Sequence, residues 1–280
     1  MTAQDLQKMA NCLRADVLQM VYGAGAGHVA GPLSCADLFA LLYFGDVIKF
    51  DPNNPSFEDR DRIILSCGHY CPVMYAALAR AGYFPISELK TFMKLGSRLP
   101  GHPERGLTPG VEVSSGPLGQ GVSVAVGMAL GIKIKYRYDL VNHAPKVYCV
   151  MSDGETQEGQ VWEAFNFAVA QKLNNLIFVL DKNKIQIEHY TSEMVKGGDI
   201  SGRLEAFGLH VLEVNGNNAK SLKEILARAK KYENGPVIVV MDTIAGKGVS
   251  FMENDPVWHD RVPTKDELSM ALVELGVVNV

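Results

Sequence analysis

Apolar positions along the chain fall into two rhythms. Short runs rich in β-branched residues, bounded by Gly, Asp and Asn, read as strands at Ile63–Ser66, Val147–Met151, Leu176–Asp181, His210–Val214 and Val237–Asp242. Several are apolar at consecutive positions, as strands covered on both faces must be. Longer segments with apolar residues three and four apart predict helices over Gln4–Val21, Leu33–Phe44, Met74–Ala81, Ile86–Leu95, Leu118–Tyr138, Gln160–Leu173 and Ser221–Lys231, with Gly45, Gly82 and Gly96 as stops. The closing KDELSMALVELG reads as one more amphipathic helix. This alternation predicts an α/β fold, a parallel sheet covered by helices on both faces. Between Gly96 and Pro117, five glycines and four prolines exclude a helix or a central strand, so this stretch should be an irregular loop, and long loops of that kind usually serve function.

Composition narrows the classes of function. A chain of 280 residues without repeats or low-complexity linkers fits a single α/β domain, 1–280. A net charge of −4 and the lack of a Lys/Arg run argue against an electrostatic nucleic-acid binder or a polybasic membrane anchor. Charges interrupt the apolar positions of the first twenty residues, and no apolar run approaches a membrane span, which points to a soluble, cytoplasmic protein. Five scattered cysteines without a CxxC pair read as reduced core thiols rather than a disulfide framework or zinc site. Cys67 and Cys71 flank His69, which leaves a functional role open there.

The densest chemistry follows the second and third strands, in SDGETQEGQVWEA and LDKNKIQIE. In an open parallel sheet, ligands collect at the carboxyl ends of strands, so Asp153 and Asn183 should reach one crevice from neighbouring strand ends. A carboxylate, an amide oxygen and a backbone carbonyl are hard oxygen ligands suited to Mg²⁺ shared with phosphate. Alone, each residue is equally at home in a turn or loop. Four histidines, His28, His69, His102 and His259, sit in loops flanked by Gly or Trp, whereas His143, His189 and His210 do not. Imidazole donates to hydroxyl and phosphate oxygens and moves protons near neutral pH, the needs of C–C bond chemistry beside a hydroxyl. SSGPLGQG opens a long helix with glycines that let a ligand approach the backbone. Glu158 and Glu163 lie near a helix start, where ordinary surface charge is the plain alternative, as it is for Lys247.

The 30-residue step from Asp153 to Asn183 resembles the thiamine diphosphate motif, although Ser152 stands in place of its first glycine. That motif does not separate a transketolase from a 2-oxo acid decarboxylase. GHVAGPLSCADL, SCGHYCPVMYAAL, GHPE, TPGVEVSSGPLGQGVSVAVGMA, SDGETQEGQVWEA, LDKNKIQI, TIAGKGVSFMEN and WHD resemble the transketolase family, in the family's order, over Leu13–Asp260. The resemblance implies that Asp153, Asn183 and the carbonyl of Ile185 bind Mg²⁺, or Ca²⁺ or Mn²⁺ in its place, while Gly154 and Glu155 line the diphosphate. It also implies that Gly116, Pro117 and Leu118 touch the cofactor rings, that His69 and His259 approach the diphosphate, and that His28, His102 and His259 face substrate hydroxyls. Glu158 and Glu163 would join a network across a subunit interface. The implied reaction passes a two-carbon ketol unit from a ketose phosphate to an aldose phosphate.

In that family a glutamate on another domain activates the cofactor, and no second α/β unit follows here. The expected partner is therefore a C-terminal transketolase subunit carrying that glutamate, in an α2β2 heterotetramer. Departures stand at Val29-Ala30 for Pro-Gly, Cys67 for lysine, Lys184 for the glycine after Asn183, Glu188-His189 for Asp-Gly and Asp260 for glycine. A split transketolase for an unusual or sulfonated sugar is thus a variant of the same reading. A 2-oxo acid dehydrogenase component and a regulatory subunit with a decayed site stand as alternatives.

Overall fold

The computed structural model describes residues 1–136, 144–187 and 189–277. The departure at Glu188, the predicted helix end at Arg137-Tyr138 and His143 fall outside the described residues. Five strands, β1 (Arg62–Leu65), β2 (Val147–Ser152), β3 (Leu176–Lys182), β6 (His210–Asn215) and β7 (Val237–Asp242), form one all-parallel sheet in the order β1-β2-β3-β7-β6. All five agree with the sequence expectation to within about two residues at either end, the usual uncertainty of such boundaries.

Alternation along each strand feeds two cores. Tyr148, Val150, Ile177, Val179, Val237 and Val239 point into one, with α1 (Ala3–Ala24), α2 (Ala30–Ser34), α3 (Ala36–Phe44), α4 (Cys71–Arg80) and α9 (Ala219–Lys231). Cys149, Met151, Phe178, Leu180, Ile238 and Val240 point into the other, with α5 (Gln120–Lys135), α6 (Gly159–Ala170) and α8 (Ile200–Ala206). With side chains on alternate faces and both faces covered, the strands must be apolar throughout, which is why they read as continuous runs. The last helix, α10 (Lys265–Glu274), opens on a capping box between Thr264 and Glu267.

Two helical expectations change, and one further region folds where no element was expected. Ile86–Leu95 is a 3-10 turn over Ile86–Thr91: only Leu89 and Phe92, three apart, are buried, and Met93 at φ 55 turns the chain out of helical geometry. The segment Leu33–Phe44 divides at Cys35 into α2 and α3. The stretch after Asn183 carries an unforeseen hairpin, β4 (Ile185–Gln186) with β5 (His189–Tyr190), then α7 (Thr191–Met194) and α8. Residues 96–117 contain no helix or strand, as expected. Among the described residues no helix is long and apolar enough to cross a membrane.

Candidate functional site

The loops that leave the carboxyl ends of β1, β2, β3 and β7 meet in one crevice. Asp153 follows β2 and Asn183 follows β3, and these strands are direct neighbours in register Ser152 to Asp181. The ladder runs one bond past the strand, from the Asp153 N–H to the Asp181 carbonyl at 3.0 Å. Asp153 Oδ1 accepts from the Gly154 N–H and Oδ2 from the Lys184 N–H, both at 2.9 Å, so its carboxylate bridges the two loops. Asn183 Oδ1 accepts from the Ile185 N–H at 3.0 Å. Burial, and secondarily the carboxylate of Asp181, push Asp153 up to about 7 against the lowering effect of its backbone donors. Among the described residues no ion pair holds either carboxylate, and no cluster of three His, Cys, Asp or Glu side chains could grip a metal alone. A cation here would need the mixed oxygen set together with an outside ligand.

Above this floor the four histidines converge. The ring of His28 lies 4.9 Å from His69, 5.2 Å from His259 and 6.4 Å from His102, and His69 lies 5.4 Å from His259. Distant segments are tied to make this cluster: the Val29 N–H donates to the His259 carbonyl at 3.0 Å and the Gly246 N–H to the Ala30 carbonyl at 2.9 Å. The Ser115 N–H reaches the Pro103 carbonyl, and Ser115 Oγ the Leu65 carbonyl, so the His102 loop and the Gly116 turn lie over β1. Burial lowers all four imidazoles. His28 falls to about 4, through burial first and then His259 and His102, opposed by Asp260, and His69 is pushed well down by burial and, secondarily, by the three imidazoles around it. The cluster is neutral at pH 7, each ring having a donor and an acceptor nitrogen.

Glu155 departs from its expected place. It is fully buried, and its carboxylate accepts from Ser66, from the Gly119 N–H at 2.6 Å and from the Ser152 N–H at 3.3 Å. It holds the Gly-rich turn, where Gly119 at φ 83 caps α5, from beneath rather than lining the crevice. Gly154 is buried beside it, Gly116 lies against His102, and Pro117 and Leu118 remain on the accessible side. Glu158 and Glu163 are exposed at the start of α6, their carboxylates without a hydrogen bond or ion pair among the described residues. Lys247 pairs with Glu253 at 3.0 Å. The five thiols are free and mostly buried, with Cys71 Sγ on the Gly101 carbonyl at 3.0 Å and Cys67 under β2.

Sequence reasoning passed over the residue at the centre of the floor. Asp181 is fully buried and accepts from Ser34, Tyr70, Asn183 and Thr243. The available signal was its place at the end of the apolar run LIFVLD, where a carboxylate must point either to solvent or to a dedicated set of donors.

The family described as "Transketolase, thiamine diphosphate binding domain" matches residues 5–278. The 6-deoxy-6-sulfo-D-fructose transketolase subunit SqwG of Clostridium sp. strain MSTE9 is 40% identical, covering 97% of this chain and 96% of its own length. An apulose-4-phosphate transketolase subunit of Actinobacillus succinogenes is 38% identical over the same shares of both chains. The transketolase of Campylobacter jejuni superposes with a TM-score of 0.90 at 35% identity, covering 99% of this chain but 43% of that one.

Proposed function

The chain belongs to the transketolase family, as a thiamine diphosphate binding domain, and from that premise we propose that it is the diphosphate-binding subunit of a split transketolase. The proposed reaction moves a two-carbon ketol unit from a ketose to an aldose. The observation that carries the reading is the meeting, at one sheet edge, of an oxygen floor built from Asp153 and Asn183 and a rim of four neutral histidines.

The residues fit the cofactor. Two buried carboxylates without cationic partners among the described residues leave negative charge that a divalent cation would balance, and Asp153, the Asn183 amide oxygen and the Ile185 carbonyl are the ligands we assign to Mg²⁺ or its substitutes. When bound, thiamine diphosphate supplies a nucleophilic ring carbon able to carry the ketol unit. The chain's own residues do the rest. Gly154 presents backbone without a Cβ to the diphosphate, and His69 and His259 donate to its oxygens. Gly116, Pro117 and Leu118 form the wall against the rings. His28, His102 and His259, neutral at pH 7, orient substrate hydroxyls and move protons at their oxygens.

The chain spans about two fifths of the solved transketolases, 41% in the protein of Leishmania mexicana, and what supports a separate partner is that relatives matched along 96% of their own length are named as subunits. We assign the activating glutamate to a C-terminal subunit in an α2β2 heterotetramer, with the exposed Glu158 and Glu163 at the interface. Two relatives named as subunits of transketolases for particular sugars, each matched along 96% of its length, favour a specialised sugar phosphate or sulfonated sugar as donor. The free thiols suit a reducing cytoplasm.

The deciding experiment is co-expression with the partner protein, followed by assays of ketol transfer across ketose phosphates, apulose 4-phosphate and 6-deoxy-6-sulfofructose. Transfer from one of these, dependent on thiamine diphosphate and Mg²⁺, is the expected result. Decarboxylation of pyruvate with no ketose accepted would overturn it.

A further inference from the structure

The amide of Asn183 has two orientations of the same shape, and only one presents oxygen to a metal. Its Nδ2 donates to Asp181 Oδ2 at 2.9 Å and to the Tyr70 hydroxyl at 2.8 Å, so both amide hydrogens are used. The Tyr70 hydroxyl in turn donates to Asp181 Oδ2 at 3.0 Å, which closes a buried ring of three side chains. Flipping the amide would set its oxygen against that carboxylate oxygen, acceptor to acceptor. The ring therefore keeps Asn183 Oδ1 on its far side, where it meets the Ile185 N–H at 3.0 Å.

We propose that Asp181 is the positioning residue of the metal site, fixing the Asn183 amide with its oxygen outward and tying the loops of the crevice to that ligand. This inference rests on the metal-site reading above. Asp181 is fully buried with no cationic partner among the described residues, an expensive occupant of a strand end if its only task were to fill space. Its donors come from every side of the crevice. Ser34 Oγ, at 2.6 Å, belongs to the helix after the His28 loop; Tyr70 follows His69; Thr243 Oγ1, at 2.5 Å on Oδ1, begins the segment that leads to His259. Through Oδ2 the carboxylate thus couples the orientation of one ligand to the segments that follow His28 and His69, while through Oδ1 it separately anchors the segment that leads to His259. Its two oxygens divide the work: Oδ2 holds the ring around Asn183 and Oδ1 holds Thr243.

That division supplies the test. The two-subunit complex, stripped of metal, is titrated with Mn²⁺ in the presence of thiamine diphosphate while free Mn²⁺ is followed by electron paramagnetic resonance. Asp181→Asn should weaken Mn²⁺ binding by about 10–100-fold, the usual effect of removing a group that orients a metal ligand. Tyr70→Phe, which keeps the packing and opens the ring, should weaken it about fivefold, the worth of one hydrogen bond, and decides the matter if Asp181→Asn does not fold. Thr243→Val acts only on Oδ1 and should lower the melting temperature while leaving Mn²⁺ affinity within about twofold. Unchanged affinity in Asp181→Asn or in Tyr70→Phe, or an equal loss in Thr243→Val, overturns the inference. Asp153→Ala separates the two readings: if it too leaves Mn²⁺ binding intact, the metal site itself is misassigned. Loss in Asp153→Ala alone removes only the role of Asp181.

Discussion

The floor and the rim of the crevice are built from opposite materials. The floor holds two buried carboxylates, Asp153 and Asp181, satisfied by neutral donors and lacking any cationic side chain among the described residues. The rim holds four imidazoles lowered by burial, two of them, His28 and His69, lowered further by neighbouring imidazoles. Such a floor, with Asp153 raised to about 7, takes up either a proton or a cation, while the rim above offers neutral donors. On the reading proposed above, that pairing suits a group that is positive at one end and rich in oxygen along its length, as a metal diphosphate would be.

The largest expected effect separates the two halves outright. Asp153→Ala should abolish metal-dependent thiamine diphosphate binding measured by calorimetry, with the circular dichroism of the fold intact; binding at the original affinity would reject the floor as the metal site. His102→Gln tests the opposite half. It should lower kcat/KM for ketol transfer by about 100-fold, within the range for a lost proton-transfer or orienting group, while cofactor affinity stays nearly constant. A matched loss in cofactor affinity would mean that His102 belongs with the floor.

Acidity probes the rim more gently. The imidazoles have folded values below the ordinary value of about 6.5, so in acid the folded chain binds fewer protons than the unfolded chain. Their contribution is fully present above that value and is lost as pH falls through it, for His28 toward about 4. The imidazole share of stability, read by urea unfolding, should therefore fall between about pH 7 and pH 5, against the opposing gain from Asp153, raised to about 7. Removing one imidazole in His28→Asn should shift the curve toward greater relative stability at pH 5. Parallel curves for the two proteins would show that His28 is not held neutral. The smallest effect lies beside the floor. Lys184 occupies φ 70, left-handed geometry that suits the glycine of the family pattern, and its pair with Asp242 is exposed. Lys184→Gly should raise stability by about 0.5 kcal/mol, relief of strain exceeding the lost pair and added chain entropy; a loss of stability would show the pair to matter more.

How much of this was legible in the sequence follows from how each part is buried. The strands stand out because two cores force Val147–Ser152 and Leu176–Lys182 to be apolar at almost every position. The histidines were found because glycine-rich context marks a loop, and their meeting follows once parallel strands send those loops to one edge. Ile86–Leu95 misled because two buried residues three apart satisfy a 3-10 turn as well as a helix. The hairpin and short helices after Asn183 carry mostly exposed side chains and so leave no apolar rhythm to read. Asp181 escaped, and the burial of Glu155 beneath the Gly119 turn stayed hidden, for one reason: a carboxylate at or just after a strand end looks the same in sequence whether it faces a ligand or lies beneath the residues that do.

Two glycines of the crevice have a consequence for how such a site can diverge. A Cβ on Gly31 would lie 2.0 Å from the ring of Tyr70, and one on Gly68 would lie 2.8 Å from the backbone of Ser115. The helix after the His28 loop therefore packs directly on the Tyr70 ring, and the turn bearing His69 meets the segment leading to Gly116 backbone to backbone. None can be remodelled while the others stand still. A change of substrate that moves one of these segments should therefore require matched substitutions in the segment it packs against.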